Sequence, residues 1–237
     1  GRCCLHGRLH EIPSEEMVTL VGAQCSLSYS VLSVDQICDL RLSIGRKTFV
    51  ELSFMPSTLS AGSKTVFHYS ANVTPPKDYS QWGKFVARLV THWVQRYGID
   101  EISTWFFEVW NEPNLPAFWT GTQADYFKLY RFTVQAIKAV DDRLQVGGPA
   151  TANNEWITEF LEFCAKNKLP ADFVSTPHYP TDAPGSVGED TETQLDHSKG
   201  SILHKWEREP HRQARGKPVY YTDWSSPSNM RYPRTPA

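Results

Sequence analysis

Glu112 lies in the stretch Trp105-Phe-Phe-Glu-Val-Trp-Asn-Glu-Pro-Asn-Leu115. The first half is aromatic and β-branched, the composition of a buried strand. Pro113 has no amide hydrogen and stops that strand. Asn111 and Glu112 therefore stand where a buried strand opens into a loop. A carboxyl walled by Trp and Phe is poorly solvated, which favours its protonated form near neutrality. That is the requirement for a general acid. A lone Glu before Pro is also how a strand ends in a solvated turn; the aromatic surroundings and the adjacent Asn tilt the reading towards chemistry. A second carboxylate set in aromatics is Asp223, in Tyr220-Tyr-Thr-Asp-Trp224. Alone it reads equally as a turn or helix-cap residue. Together the two can do what cleavage of a glycosidic bond needs. One protonates the leaving oxygen, and the other, ionised, attacks the anomeric carbon or activates a water.

Other titratable residues rank lower. Glu51 is mid-strand, either a satisfied structural carboxylate or a buried partner of a rim Arg or His. Glu108 shares a face with Trp110 and Glu112 by the two-residue period of a strand, lies deeper, and is read as structural. His10, His68 and His178 fall in loop or surface segments, with His178 the strongest exception.

The elements that must position these residues follow from the hydrophobic pattern. Cys3 to Leu9 is a short strand, and Val34 to Ser43 a helix ended by Gly45. Lys47 to Met55 is a strand stopped by Pro56. Residues 56–78 read as one long polar loop, a length usually reserved for function. Ser80 to Tyr97 is an amphipathic helix capped by Gly98, and the central strand follows it. Helix Thr122–Val140, strand Gln145–Ala150, helix Glu155–Asn167 and strand Asp172–Thr176 come next. Residues 181–198 are loop, Ser201 to about Gln213 is helical, and Pro218–Trp224 is the last strand. Alternating strands and helices predict a parallel sheet with helices outside. The expected fold is a (β/α)8 barrel with about six of its eight strand–helix units present, its candidate carboxylates at the rim formed by strand C-terminal ends. No repeat or domain break is visible, so residues 1–237 read as one barrel domain, cut at both ends.

Composition sets the outer limits. With 237 residues, 40% hydrophobic and 21% charged, the chain can fill one large core. A net charge of -2 argues against a nucleic-acid partner, which needs a basic face. Eight Trp, ten Tyr and twelve Phe fit either a large core or a groove of flat faces suited to sugar rings. The five cysteines are scattered, which favours free thiols over a disulfide framework. No Cys-x-x-Cys pair is present, and neither metal nor cofactor is expected. Asn72-Val73-Thr74 has the form of a glycosylation sequon, a triplet common by chance. There is no signal-peptide pattern, and no apolar run long enough to span a membrane.

Phe107-Glu-Val-Trp-Asn-Glu-Pro-Asn-Leu115 followed by Phe118-Trp119, Val50-Glu-Leu-Ser-Phe-Met-Pro56, Val146-Gly-Gly-Pro-Ala150 and Tyr220-Tyr-Thr-Asp-Trp-Ser-Ser226 resemble glycoside hydrolase family 39. This is the family of β-xylosidases and α-L-iduronidases, retaining enzymes on a barrel, and the closer likeness is to the bacterial β-xylosidases. The resemblance runs in order over nearly the whole chain. It implies Glu112 as acid/base, residue 223 as nucleophile position, Asn111 on the sugar 2-hydroxyl, His6 as a glycone contact and Phe54 on the glycone wall. It implies Tyr179 as the Tyr of a His-x-Tyr element. It also implies a carbohydrate substrate, most naturally a β-1,4-xylooligosaccharide. The sequence departs from the family at Asp223, where the family has Glu, and at Pro177, where it has the His of His-x-Tyr, with His178 adjacent. The strand before His6, and a last strand bearing Trp and Glu glycone contacts, have no counterpart. An Asp is one methylene short, so its oxygen lies roughly 1 Å too far back, a misplacement that can cost about 100-fold in rate. The alternative is therefore a catalytically impaired relic or sugar-binding protein.

Overall fold

The structure, a computed structural model, describes residues 7–8, 18–21, 26–29, 31–179 and 209–224. In chain order the elements are β1 (Gly7–Arg8), β2 (Val18–Val21), β3 (Ser26–Tyr29), α1 (Leu32–Ser43), β4 (Phe49–Leu52), β5 (Thr65–Val66) and β6 (Ala71–Asn72). They continue with α2 (Tyr79–Tyr97), α3 (Ile99–Ile102), β7 (Phe106–Val109), α4 (Gln123–Val140), β8 (Gln145–Pro149), α5 (Ile157–Lys166), β9 (Phe173–His178), α6 (Glu209–Gln213) and β10 (Val219–Trp224). Six strands form one sheet in the order β1-β4-β7-β8-β9-β10, every pair parallel. A helix stands between each pair of successive strands of this sheet. This is the (β/α)8 barrel topology, with six consecutive strands among the described residues.

The sheet is curled, and side chains show it. Phe49 on β4 and Tyr220 on β10 have ring centroids 5.8 Å apart. These strands are four places apart in the sheet, which laid flat would separate them by about 19 Å. Phe106 and Phe173 complete a four-ring layer, with centroids 5.5 Å from each other and 4.9 Å and 5.5 Å from Tyr220. Four strands thus send a ring to one point inside the barrel. β8 contributes none, and the reason is Gly147: a Cβ there would lie 2.5 Å from Phe173 atoms. Its missing side chain is the space that the Phe173 ring fills.

The outward positions carry the helices. Phe107, one residue on from Phe106, stacks on Trp93 of α2 at 6.2 Å. In α2 the residues Trp82, Phe85, Val86, Leu89, Val90 and Trp93 are buried, the three-and-four spacing of one helical face. Asp78 caps its start by accepting from the Ser80 and Gln81 amides, and Gly98, at φ 85°, ends it. A capping box of Thr122 and Asp125 starts α4. Tyr126 of α4 donates its hydroxyl to the Val109 carbonyl at 3.0 Å. Desolvation, aided by the charge of Glu108, pushes that phenol well above its ordinary pKa, so it stays a donor.

Two expectations need correction. Residues 56–78 are not wholly irregular: β5 and β6 pair as an antiparallel hairpin within them. The strands are two residues each, too short for a periodic signal. In α1, Leu40 and Ile44 belong to the apolar spacing that marks the helix, yet they are 63% and 56% exposed. The buried face instead includes Asp35 and Arg41 beside Val34 and Cys38. An ionic contact to α2 decides this orientation. His92 meets both Asp35 oxygens at 2.9 Å and 3.0 Å, Arg96 donates to Asp39 at 2.6 Å, and the Tyr97 hydroxyl donates to Asp39 at 2.8 Å.

Cys38 and Cys164 are buried free thiols, as expected, and burial pushes both pKa values up to about 12. Asn72 of the sequon is 2% exposed and donates its amide to the Gly62 carbonyl at 2.8 Å, while Thr74 bonds its oxygen. A sugar on that nitrogen is incompatible with this packing. Among the described residues no helix is long and apolar enough to cross a membrane.

Gly147→Ala is expected to destabilise the protein by about 1–3 kcal/mol through overpacking. The added Cβ would meet both the Phe173 ring and the Phe173 carbonyl at 2.5 Å, so the loss should be reduced, but not abolished, in a Phe173→Leu background. Urea unfolding of the four variants measures it, and equal losses in both backgrounds would show that Gly147 does not serve the ring layer.

Candidate active site

The side chains above the ring layer are polar. Counting inward positions two by two, Phe49 leads to Glu51, Phe106 to Glu108 and Tyr220 to Thr222. Glu51 and Glu108 are register partners on neighbouring strands, 2% and 1% exposed. The Ser53 hydroxyl donates to Glu51 at 2.5 Å. The Thr222 hydroxyl, from β10, donates across the interior to Glu108 on β7 at 2.7 Å. Both carboxylates are thus hydrogen-bonded interior residues, as the sequence reading of Glu108 and one of the two readings of Glu51 require.

One level higher the chain leaves β7. Trp110 has φ 72° and Glu112 φ 46°, left-handed values uncommon for residues with a side chain. Such conformations persist where surrounding contacts over-determine them, and those contacts are visible. The Glu112 amide donates to the Ala150 carbonyl at 2.8 Å, and the Ala150 amide to the Ser175 carbonyl at 3.0 Å. The loop after β7 is thus tied to the end of β8, and that end to the middle of β9. The loop then folds back: the Leu115 amide donates to the Glu112 carbonyl at 3.0 Å, and the Trp110 indole donates to the Phe118 carbonyl at 2.9 Å. Asn114 fixes it from the other side. It accepts from the Ala152 amide at 2.9 Å and donates to the Ala152 carbonyl and the Glu155 carboxylate. Each polar residue of the Asn-Glu-Pro-Asn block after Asn111 therefore has a backbone or side-chain role in holding the loop.

Among the described residues, Asn111, Glu112, Phe54, Tyr179 and Asp223 lie near the C-terminal ends of sheet strands. Asn111 is 4% exposed and Glu112 6%, in sequence next to the buried Trp110. Trp110 lies edge-on to Trp119 at 4.8 Å and to Phe54 at 5.5 Å. Phe54, two residues past β4, is buried and also faces Phe67 and Phe118. Tyr179, just past β9, and Asp223, near the end of β10, are both partly buried. Asn111, Glu112, Phe54 and Tyr179 follow, and Asp223 immediately precedes, the C-terminal end of a parallel strand, the end where barrels of this type carry their sites. His178 closes β9, its backbone paired with Trp224. His6 lies outside the described residues, as does His10. His68 is exposed in the β5–β6 turn, edge-on to Tyr69 at 5.1 Å.

Asp223 sits at an irregularity. Tyr221 pairs with Thr176, but the next pair is Trp224 with His178, three steps on β10 against two on β9. The residue skipped on β9 is Pro177, which has no amide to offer a ladder. Strict alternation from Thr222 would send Asp223 to the helix side; a bulge is the device by which a strand re-aims a side chain. Thr222 was not singled out from sequence, although the two-residue step from Tyr220 places it inward.

The sequence model of glycosyl hydrolases family 39 matches residues 5–236. The chain is 49% identical to a β-xylosidase of Caldicellulosiruptor saccharolyticus over 208 residues, 87% of this chain and 43% of that protein. It is 49% identical to a β-xylosidase of Geobacillus stearothermophilus over 66% of this chain and 32% of the relative. A family 39 β-xylosidase structure from Caulobacter crescentus superposes with a TM-score of 0.76 at 35% identity, covering 95% of this chain and 47% of that one. The chain thus spans less than half the length of each of these three relatives. Strand order, rim composition and sequence agree: this chain belongs to glycoside hydrolase family 39.

Proposed function

We propose that the protein is a retaining β-xylosidase that removes terminal xylose from β-1,4-xylooligosaccharides. The observation that carries the reading is the common rim of Glu112 and Asp223. They stand at the ends of two parallel strands whose preceding inward residues touch across the barrel. Glu112 is the proton donor. Its near-complete burial beside Trp110 suits a carboxyl that must hold a proton until the leaving oxygen needs it. Asp223 is the nucleophile. Its carboxylate oxygen bonds to the anomeric carbon as the glycosidic C–O bond breaks, and the proton of Glu112 goes to the departing oxygen. Glu112, now ionised, takes a proton from water, whose oxygen displaces Asp223 and frees the sugar.

The remaining roles follow from the family resemblance and from position. Asn111, adjacent to Glu112 and buried, holds the sugar 2-hydroxyl. Phe54 walls the glycone, Tyr179 and His178 contact it at the end of β9, and His6 does so on the resemblance alone. The substrate is a carbohydrate, and no metal or cofactor takes part. Identity to two β-xylosidases supports the choice of xylose as the glycone.

Asp223 is the point on which turnover depends. Asp and Glu carry the same charge at neutral pH, so the electrostatics survive the shortening, but reach does not. Attack needs the reacting atoms about 3–3.5 Å apart. Asp223→Glu is therefore expected to raise kcat on an aryl β-xyloside by about 100-fold. An intact Asp223→Glu protein that gains nothing would show that reach at this position does not limit the reaction.

Glu112→Gln is expected to abolish cleavage of xylobiose while sparing activated aryl xylosides, whose leaving groups need no proton. Equal losses on both substrates would remove Glu112 from the role of acid. Binding of xylobiose with no turnover by either the parent or Asp223→Glu would instead identify a sugar-binding protein.

A further inference from the structure

We propose that Glu108 and Thr222 are positioning residues, whose hydrogen bond across the barrel sets the separation of the Glu112 and Asp223 carboxyls. The inference rests on the roles proposed for those two residues. β7 and β10 are not neighbours; β8 and β9 lie between them, so no backbone ladder fixes their distance directly. Side chains inside the barrel do. Phe106 and Tyr220 meet at 4.9 Å, and two residues further along the same strands Thr222 donates to Glu108 at 2.7 Å. That O···O distance is at the mode for hydroxyl donors, and both residues are buried, at 3% and 1% exposure. The two contacts are successive rungs between one pair of strands. The next level up holds the rim.

The position of the upper rung is specific. Thr222 is the first residue of β10 after the last regular pair, Tyr221 with Thr176, and directly precedes Asp223. Here β10 carries its extra residue and its regular pairing with β9 is interrupted. A side-chain anchor adds to what the interrupted ladder supplies. The Thr222 hydroxyl supplies one, and its β-branched side chain has few rotamers through which to release it. On the other strand, Glu108 is four residues before Glu112, whose backbone is itself locked to Ala150. The bond therefore joins the frame of the proton donor to the frame of the nucleophile. Loss of the anchor lets Asp223 move relative to Glu112, and a displacement of about 1 Å is enough to cost about 100-fold in rate.

The test uses Thr222→Val, which removes the hydroxyl at nearly constant shape, and Thr222→Ser, which keeps it. Thr222→Ala, which removes the same donor with less bulk, is measured beside them in case valine is poorly accommodated. The readouts are the rate of covalent labelling by a 2-fluoro xyloside, the labelled residue by mass spectrometry, kcat and KM on an aryl β-xyloside, and the melting temperature. In Thr222→Val, labelling of residue 223 and kcat should fall together by about 100-fold with KM nearly unchanged, and Thr222→Ser should restore both. Glu108→Gln keeps an oxygen that accepts from Thr222 and should label near the parent rate. A parent rate in both Thr222→Val and Thr222→Ala would overturn the proposal while leaving Glu112 and Asp223 in their roles. A loss in Glu108→Gln as large as in Thr222→Val would assign the effect to the Glu108 charge and overturn the tie. Label on a residue other than 223 in the parent would overturn the nucleophile assignment and, with it, this inference.

Discussion

Contact between strands that are not neighbours in the sheet is the constraint on which everything else rests. Phe49, Phe106, Phe173 and Tyr220 come from four strands and meet at centroid distances between 4.9 Å and 5.8 Å. Such a layer exists only if the sheet is strongly curved, and it fixes that curvature because close-packed interiors resist even small changes of volume. Once the layer is set, alternation dictates the level above it, where Glu51, Glu108 and Thr222 point inward. That polar level then carries the rim. In this order of layers, aromatic below and polar above, each of the two buried carboxyls has at least one hydroxyl donor, Ser53 for Glu51 and Thr222 for Glu108.

The rim has the opposite character from the interior. Trp110, Glu112 and Ala150 all adopt left-handed backbone conformations, and all lie within a few residues of the β7 and β8 ends. Local geometry of that kind is unfavourable in isolation. It is held by a row of backbone bonds from Glu112 to Ala150 to Ser175 and by the Asn114 contacts to Ala152. The result is a Glu112 backbone tied through Ala150 to β9 rather than carried on one free loop. Rigid support of this kind is what positions reacting groups closely enough for bond formation.

Much of this was legible in the sequence, for identifiable reasons. A strand of a parallel barrel is buried on both faces, so Trp105 to Trp110 is apolar on both faces apart from Glu108, and Pro113 marks the end of the segment. The amphipathic spacing of α2 and α4, with Gly98 and Thr122 at their ends, is equally explicit. Where reading failed, the determinant was not local. The orientation of α1 is decided by His92 and Arg96, more than fifty residues away, against the pull of Leu40 and Ile44 towards the core. The β5–β6 hairpin is too short to show a period. Thr222 is an unremarkable residue until Glu108, 114 positions earlier, is brought opposite it by the curl of the sheet. The expected glycone contact His6 lies outside the described residues, so its placement rests on the resemblance alone.

The central claim is that two carboxyls at one rim act as proton donor and nucleophile even though the nucleophile is an Asp. Separation of the carboxyls decides the stereochemistry: about 5–5.5 Å gives a covalent intermediate and retention, whereas about 6.5–9.5 Å leaves room for a water and gives inversion. The shortened side chain of Asp223 widens the gap, and the bulge beside Pro177 is the feature that can close it. Proton NMR of the first sugar released from an aryl β-xyloside, recorded before mutarotation, reads the outcome directly. The account predicts β-xylose as the first product. Appearance of α-xylose first would contradict it, because residue 223 would then be activating a water rather than attacking the sugar.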